Sequence, residues 1–247
     1  MAGKWDFYFC LIEDQPASIY LDLALIERAP IRSLSAFAYI RLYMNQPRPD
    51  GLSSSQEFET LSAIDDALVA NVTSTCGGHY AGRTTSDGAR TYYFYPAKIP
   101  MFEGSVVQAM RAYSGYEFEV GHRDDPEWLV YRDFLYPSAA DRQRMLNRDV
   151  LEALRDHGDR SDLPREIDHW IFMPDRGRAM RFAQWAEAQG FVVSECEPHE
   201  DQYKVRLIRI DAPTDIDEVT LPLHERAVEL GGNYDGWECP VEAPEKH

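Results

Sequence analysis

The stretch Gly231-Gly232-Asn233-Tyr234-Asp235-Gly236-Trp237-Glu238 constrains this chain more than any other. It follows an apolar-periodic segment, and two glycines where a helix should stop are what a left-handed C-cap needs. An aromatic residue, an Asp-Gly pair and a tryptophan straight afterwards start a strand, with Asp235-Gly236 marking a bulge or a tight approach. The last helix therefore ends sharply and the chain returns as a last strand.

The second half supplies the partners for that strand. Ser138 and Asp141 can cap a helix with Met145, Val150 and Leu154 inward, stopped by Gly158. Glu166 to Met173 reads as a strand, and Asp175 to Gln189 as a helix burying Ala179, Phe182, Ala183 and Ala186 before Gly190. Strands are expected over 191–197 and 203–210, then the last helix, beginning near Asp215 or later and ending at Leu230. Pro222 disturbs that helix at a cost of about 3 kcal/mol, which predicts a kink or a true start near Thr220. In the first half, Trp5 to Ile12 and Ile19 to Ile26 read as strands across a turn at 13–18, followed by a strand over 35–44. Ser54 and Glu57 form a capping box ahead of Phe58, Leu61, Ile64, Leu68 and Val72 at helical spacing. Ser86-Asp87-Gly88-Ala89 joins a hairpin, a helix covers 105–113, and strands are expected over 116–120 and 128–135. The fold class is α+β: two ferredoxin-like domains with antiparallel sheets, residues 1–137 and 138–247, each built on the split β-α-β-β-α-β unit.

Charge bears on partners. Asp and Glu total 42 against 25 Lys and Arg, a net charge of -17 that repels phosphate backbones and anionic membranes. The expectation is no direct nucleic-acid binding and no membrane association. Cys10, Cys76, Cys196 and Cys239 form no CxxC pair, which leaves no zinc ribbon or thioredoxin-type site. With no secretory pattern after Met1, a cytoplasmic protein is expected.

No glycine-rich phosphate loop, HExxH, GxSxG or paired histidine motif occurs, so no cofactor, metal or catalytic residue is expected. Asp168-His169-Trp170 resembles a charge relay only in wording, because neighbours on a strand point to opposite faces. Tyr92-Tyr93-Phe94-Tyr95 is an aromatic strand read as core packing in preference to base stacking. Tyr234, Asp235, Trp237 and Glu238, with Asp168 and Trp170, are the protein-contact candidates; Trp237 is large enough both to plug a core and to anchor an interface. Arg48, Asp50, Ser53 and Ser54 in the 47–55 loop, with Arg83, are the ligand-loop candidates.

Residues 145–242, through Pro164 to Trp170, Gly190-Phe191-Val192-Val193, Val205-Arg206-Leu207 and the Tyr-Asp-Gly-Trp run at 234–237, resemble the bacterial regulator of ribonuclease E inhibitor B (RraB) family. Pro16-Ala17-Ser18, the stretch Arg48 to Ser53 and Gly82-Arg83-Thr84 resemble a bacterial domain of unknown function found fused to such regulators. The resemblance implies a small acidic protein that binds ribonuclease E through its non-catalytic scaffold and damps RNA cleavage without being an enzyme. An arginine-rich scaffold would attract a chain of this charge. The alternative is a small-molecule binder or enzyme with its site between the domains or in the 47–55 loop.

Overall fold

The computed structural model describes residues 3–243, folded as two compact units, the first ending at Ser138 and the second beginning at Ala139. The first contains β1 (Trp5–Ile12), β2 (Gln15–Asp22), β3 (Ala36–Tyr43), α1 (Phe58–Cys76), β4 (His79–Ser86), β5 (Ala89–Tyr95), α2 (Phe102–Met110) and β6 (Phe118–Asp124). Its six-stranded sheet runs β1-β2-β4-β5-β3-β6 with every pair antiparallel. Without the β1-β2 hairpin the connectivity is the split β-α-β-β-α-β unit. Leu61, Ile64, Leu68 and Val72 of α1 and Val106 and Met110 of α2 bury against Ala38, Ile40, Leu42, Tyr92 and Phe94. Each such large side chain contributes about 1.5–3 kcal/mol of burial.

On the opposite sheet face Trp128 stacks on Tyr95 at 3.7 Å and donates from Nε1 to the Leu34 carbonyl at 2.7 Å. Residues 128–135 are therefore not the expected strand. The Asp125 carboxylate accepts the Leu129 and Val130 amides at 2.8 and 3.1 Å, which starts a short π-type helix, Val130–Leu135. An aspartate followed by Pro126 is a helix-start signal, and the aromatic and apolar run from Trp128 to Tyr131 masked it.

Other departures have local causes. Glu13 and Asp14 both take left-handed backbone angles, so a two-residue turn replaces the longer one and β2 ends at Asp22, before a 3-10 turn at Leu23–Glu27. The Ser54–Glu57 capping box does not form, because the buried Glu57 carboxylate accepts the Asn45 and Gln46 amides at 2.8 and 2.9 Å. Phe58 opens α1 but faces outward, 59% exposed, outside the core.

The second unit contains α3 (Ala139–Asp156), β7 (Arg165–Met173), α4 (Arg176–Ala188), β8 (Val192–His199), β9 (Gln202–Asp211), α5 (Ile216–Glu229) and β10 (Asn233–Glu238). Its antiparallel sheet runs β10-β7-β9-β8, and β7 to β10 again follow β-α-β-β-α-β. α5 begins at Ile216, not near Thr220, with Pro222 inside it; burial of Ile216, Val219, Leu223 and Ala227 outweighs the hydrogen bond that proline removes. Gly231 takes the left-handed C-cap angle, and a side chain on Gly232 would meet Met173 Sδ at 2.5 Å and the Phe172 carbonyl at 2.6 Å. The double glycine thus ends α5 and lets the chain reach β7. Among the described residues no helix is long and apolar enough to cross a membrane.

Candidate protein-contact face

The bulge between Tyr234 and Gly236 decides where the candidate residues point. It sends Tyr234 and Trp237 inward and leaves Asp235 and Glu238 exposed. Trp237, 7% exposed, donates from Nε1 to Asn147 Oδ1 at 3.0 Å. That oxygen also accepts Gln143 Nε2 at 2.9 Å, while Asn147 Nδ2 donates to Asp217 Oδ1 and Thr220 Oγ1, both at 2.7 Å. The buried Asn147 amide therefore uses both donors and both lone pairs, joining α3, α5 and β10. Of the two readings open to Trp237, the structure gives it the core position; neither it nor Tyr234 is a presented anchor.

His169 is fully buried beside them, its Nδ1 2.9 Å from the Tyr234 hydroxyl and its Nε2 without a hydrogen-bond partner among the described residues. Burial lowers its pKa from 6.5 to about 4. The unfolded chain takes up this proton near pH 6.5 and the folded unit only near 4, so protonation favours the unfolded state between them. The neutral ring's contribution is fully present above 6.5 and is lost as pH falls towards 4, about 3 kcal/mol in all. Urea titrations of wild type and His169→Gln across pH 4–7 should show that extra slope only in wild type; equal slopes would refute it.

Strand alternation places Asp168 and Trp170 on the other face of β7, the face turned away from the helices. In register, Trp170 lies between Gly236 on β10 and Arg206 on β9, and Asp168 lies opposite Glu238. The Arg206 guanidinium sits 5.8 Å from the Trp170 ring, donates from Nε to Asp168 at 2.8 Å and pairs with Glu195 at 3.2 Å. Lys204 bridges Glu195 at 2.7 Å and Glu197 at 3.1 Å. Hydrogen bonds from Lys204 and Arg206 hold the Glu195 carboxyl below its ordinary range. Both cations are thus occupied by carboxylates of their own sheet, whereas Glu166, Asp235 and Glu238 form no ion pair among the described residues. The face offers one half-buried indole amid a surplus of negative charge. Arg206 and Lys204 were not anticipated from the sequence; their alternation along β9 was the available signal.

The ligand-loop residues only partly converge. Arg48, Ser53 and Arg83 line a recess of about 230 Å³ with Arg90, Ser18 and Thr85, which sequence reasoning did not place there. Asp50 is turned back to pair with Arg48 and cap the Leu52 amide, and the buried Ser54 hydroxyl has no partner among the described residues. Asp65 on α1 accepts two bonds from Arg90 Nη1 at 3.1 and 2.9 Å, pairs with Arg83 at 3.2 Å and accepts from the Tyr92 hydroxyl. Arg83 and Arg90 therefore share one carboxylate, which ties both guanidiniums to α1, and the recess is a structural clamp between α1 and the sheet.

These features define a class: a two-unit α+β protein with one antiparallel sheet per unit and an acidic, tryptophan-bearing sheet face in the second. Residues 3–136, more than half of the chain, match the family of unknown function DUF695, and the chain belongs to that family. Residues 144–239 match the family described as regulator of ribonuclease activity B. Comparison with curated proteins gives no match.

Proposed function

We propose that the chain is a non-enzymatic regulator that restrains a ribonuclease of the ribonuclease E type by direct protein contact, working in the cytoplasm. The observation that carries this reading is the outward sheet face of the second unit, which Trp170 shares with Asp168, Glu166, Glu238 and Asp235 and where the neighbouring cations are already paired. The family description of residues 144–239 supplies the kind of target. A half-exposed indole is a contact anchor, and the surrounding carboxylates select a basic partner and speed its approach more than they tighten it.

The test is binding of the purified chain to the arginine-rich scaffold region of a ribonuclease E, measured against rising salt. Affinity should fall with salt, and Trp170→Ala should weaken binding by roughly tenfold or more while leaving the melting temperature nearly unchanged. Binding that ignores salt and tolerates Trp170→Ala combined with Glu238→Gln would end the proposal.

A further inference from the structure

The outer face of the first unit's sheet is only partly covered by the Trp128–Leu135 segment, and beside that cover lies a second cleft, of about 500 Å³. Its floor is laid out by strand register in three rows. Phe37 of β3 faces Arg123 of β6; Tyr39 of β3 lies between Tyr93 of β5 and Gly121 of β6; Arg41 of β3 lies between Thr91 and Glu119. Leu129, Val130 and Phe134 form the wall, with Leu129 and Phe134 substantially exposed.

The rows place aromatic rings and cations within one another's reach. Phe37 and Tyr39 lie 6.2 Å apart and nearly parallel, Phe37 and Tyr93 6.5 Å apart, and Phe134 meets Tyr93 edge-on at 5.9 Å. A Cβ on Gly121 would sit 2.5–2.6 Å from Cε1, Cζ and the hydroxyl of Tyr39, so that ring rests flat across the bare strand and turns its other side to the cleft. The Arg123 guanidinium stacks over Phe37 at 4.9 Å and forms no ion pair among the described residues. Arg41 reaches a carboxylate only at 3.8 Å, the well-exposed Asp87, and its buried Nε has no partner among the described residues. Glu119 accepts from the Tyr43 hydroxyl at 2.7 Å. Arg123 thus keeps its charge unpaired beside an aromatic floor, whereas Arg41 is shared with Asp87 and lies opposite Glu119.

We infer that this cleft binds a nucleotide: a planar base stacks on Tyr39 and Tyr93, and its phosphate is held by Arg123. Flat π surfaces on adjacent strands accept any base, and a guanidinium supplies directed donors to phosphate oxygens. Net charge argues against a long strand but not against this ligand. Up to residue 137 the unit carries 18 acidic and 11 basic residues, which repels a polyanion far more than a single phosphate. The expectation of no direct nucleic-acid binding came from that overall balance, whereas the cleft has its own, set by Arg41, Arg123 and Glu119. The core reading of the Tyr92–Tyr95 run holds for Tyr92, Phe94 and Tyr95, the last buried under Trp128; Tyr93 turns to the cleft.

AMP, adenosine, ribose 5-phosphate and a four-nucleotide single-stranded RNA are titrated into the full chain, with binding followed by calorimetry and by tyrosine resonances. AMP should bind, with adenosine and ribose 5-phosphate each weaker by roughly tenfold or more, because each lacks one half of the recognised chemistry. Tyr39→Ala and Arg123→Gln should each weaken AMP by about tenfold or more. Gly121→Ala, which pushes the Tyr39 ring off its strand, should weaken it too. Arg123 is exposed, so Arg123→Gln remains informative if the tyrosine variant fails to fold. RNA binding no tighter than AMP identifies the free nucleotide as ligand, and tighter, salt-sensitive RNA binding identifies the end of a strand; both support the inference. No binding of AMP or RNA at millimolar concentration, or binding unchanged by Arg123→Gln, overturns it.

Discussion

Trp237→Ala is expected to destabilise the second unit by about 3–5 kcal/mol, the range for deleting a large buried aromatic side chain. The indole fills the core beneath β10, and its N–H is one of two donors to Asn147 Oδ1. Trp237→Phe keeps most of the volume but removes that donor, and should cost about 1–3 kcal/mol. Asn147 is 1% exposed, so no water takes the donor's place without some opening of the unit. Denaturant unfolding followed by a probe in residues 139–243 measures both. A loss below about 1 kcal/mol for Trp237→Ala would show that the indole is not a core element, and would return it to the candidates for partner contact.

Asp65→Ala should have an effect of similar size in the first unit, about 3–5 kcal/mol, because it strands charge. The Arg90 side chain is only 4% exposed and its guanidinium depends on this carboxylate; Arg83 and the Tyr92 hydroxyl lose the same partner. Burial, the largest cause raising the Tyr92 phenol above its ordinary pKa, persists without Asp65, so the tyrosine stays neutral and cannot supply the missing negative charge. The melting temperature of the first unit should fall by on the order of 10 °C. Replacing both partners, Asp65→Leu with Arg90→Leu, should recover much of that loss, since the cost lies in an unpaired buried charge more than in a missing attraction. A double variant no more stable than the single one would contradict this account.

How much was legible in advance depended on whether the signal was local. The inward residues of α4 (Ala179, Phe182, Ala183, Ala186) and of α1 from Leu61 to Val72 followed from helical spacing, and Gly231 and Gly190 ended their helices by backbone angle alone. Asp87-Gly88 marked its hairpin for the same reason. Residues 128–135 failed because tertiary partners, Asp125 and Tyr95, override a strand-like composition. Glu57 failed likewise, its carboxylate having been claimed by the preceding loop. At the candidate face, alternation along β7 correctly set Asp168 and Trp170 apart from His169. It gave no access to the side taken by Trp237, which one extra residue at the bulge controls, nor to Arg206 and Lys204, which arrive from a strand more than thirty positions away. Arg123 was hidden similarly, since the pairing of β3 with β6 is written only in the folded sheet.

The β4–β5 hairpin, turning at Asp87-Gly88, serves two masters. Its second strand sends Tyr92 and Phe94 under the helices and Thr91 and Tyr93 to the cleft, so inserting or deleting one residue in the turn would exchange the two sets wholesale. Packing and recognition are thereby yoked to a single count of residues: side chains at 91 and 93 are free to vary with the ligand, but the length of that loop is not.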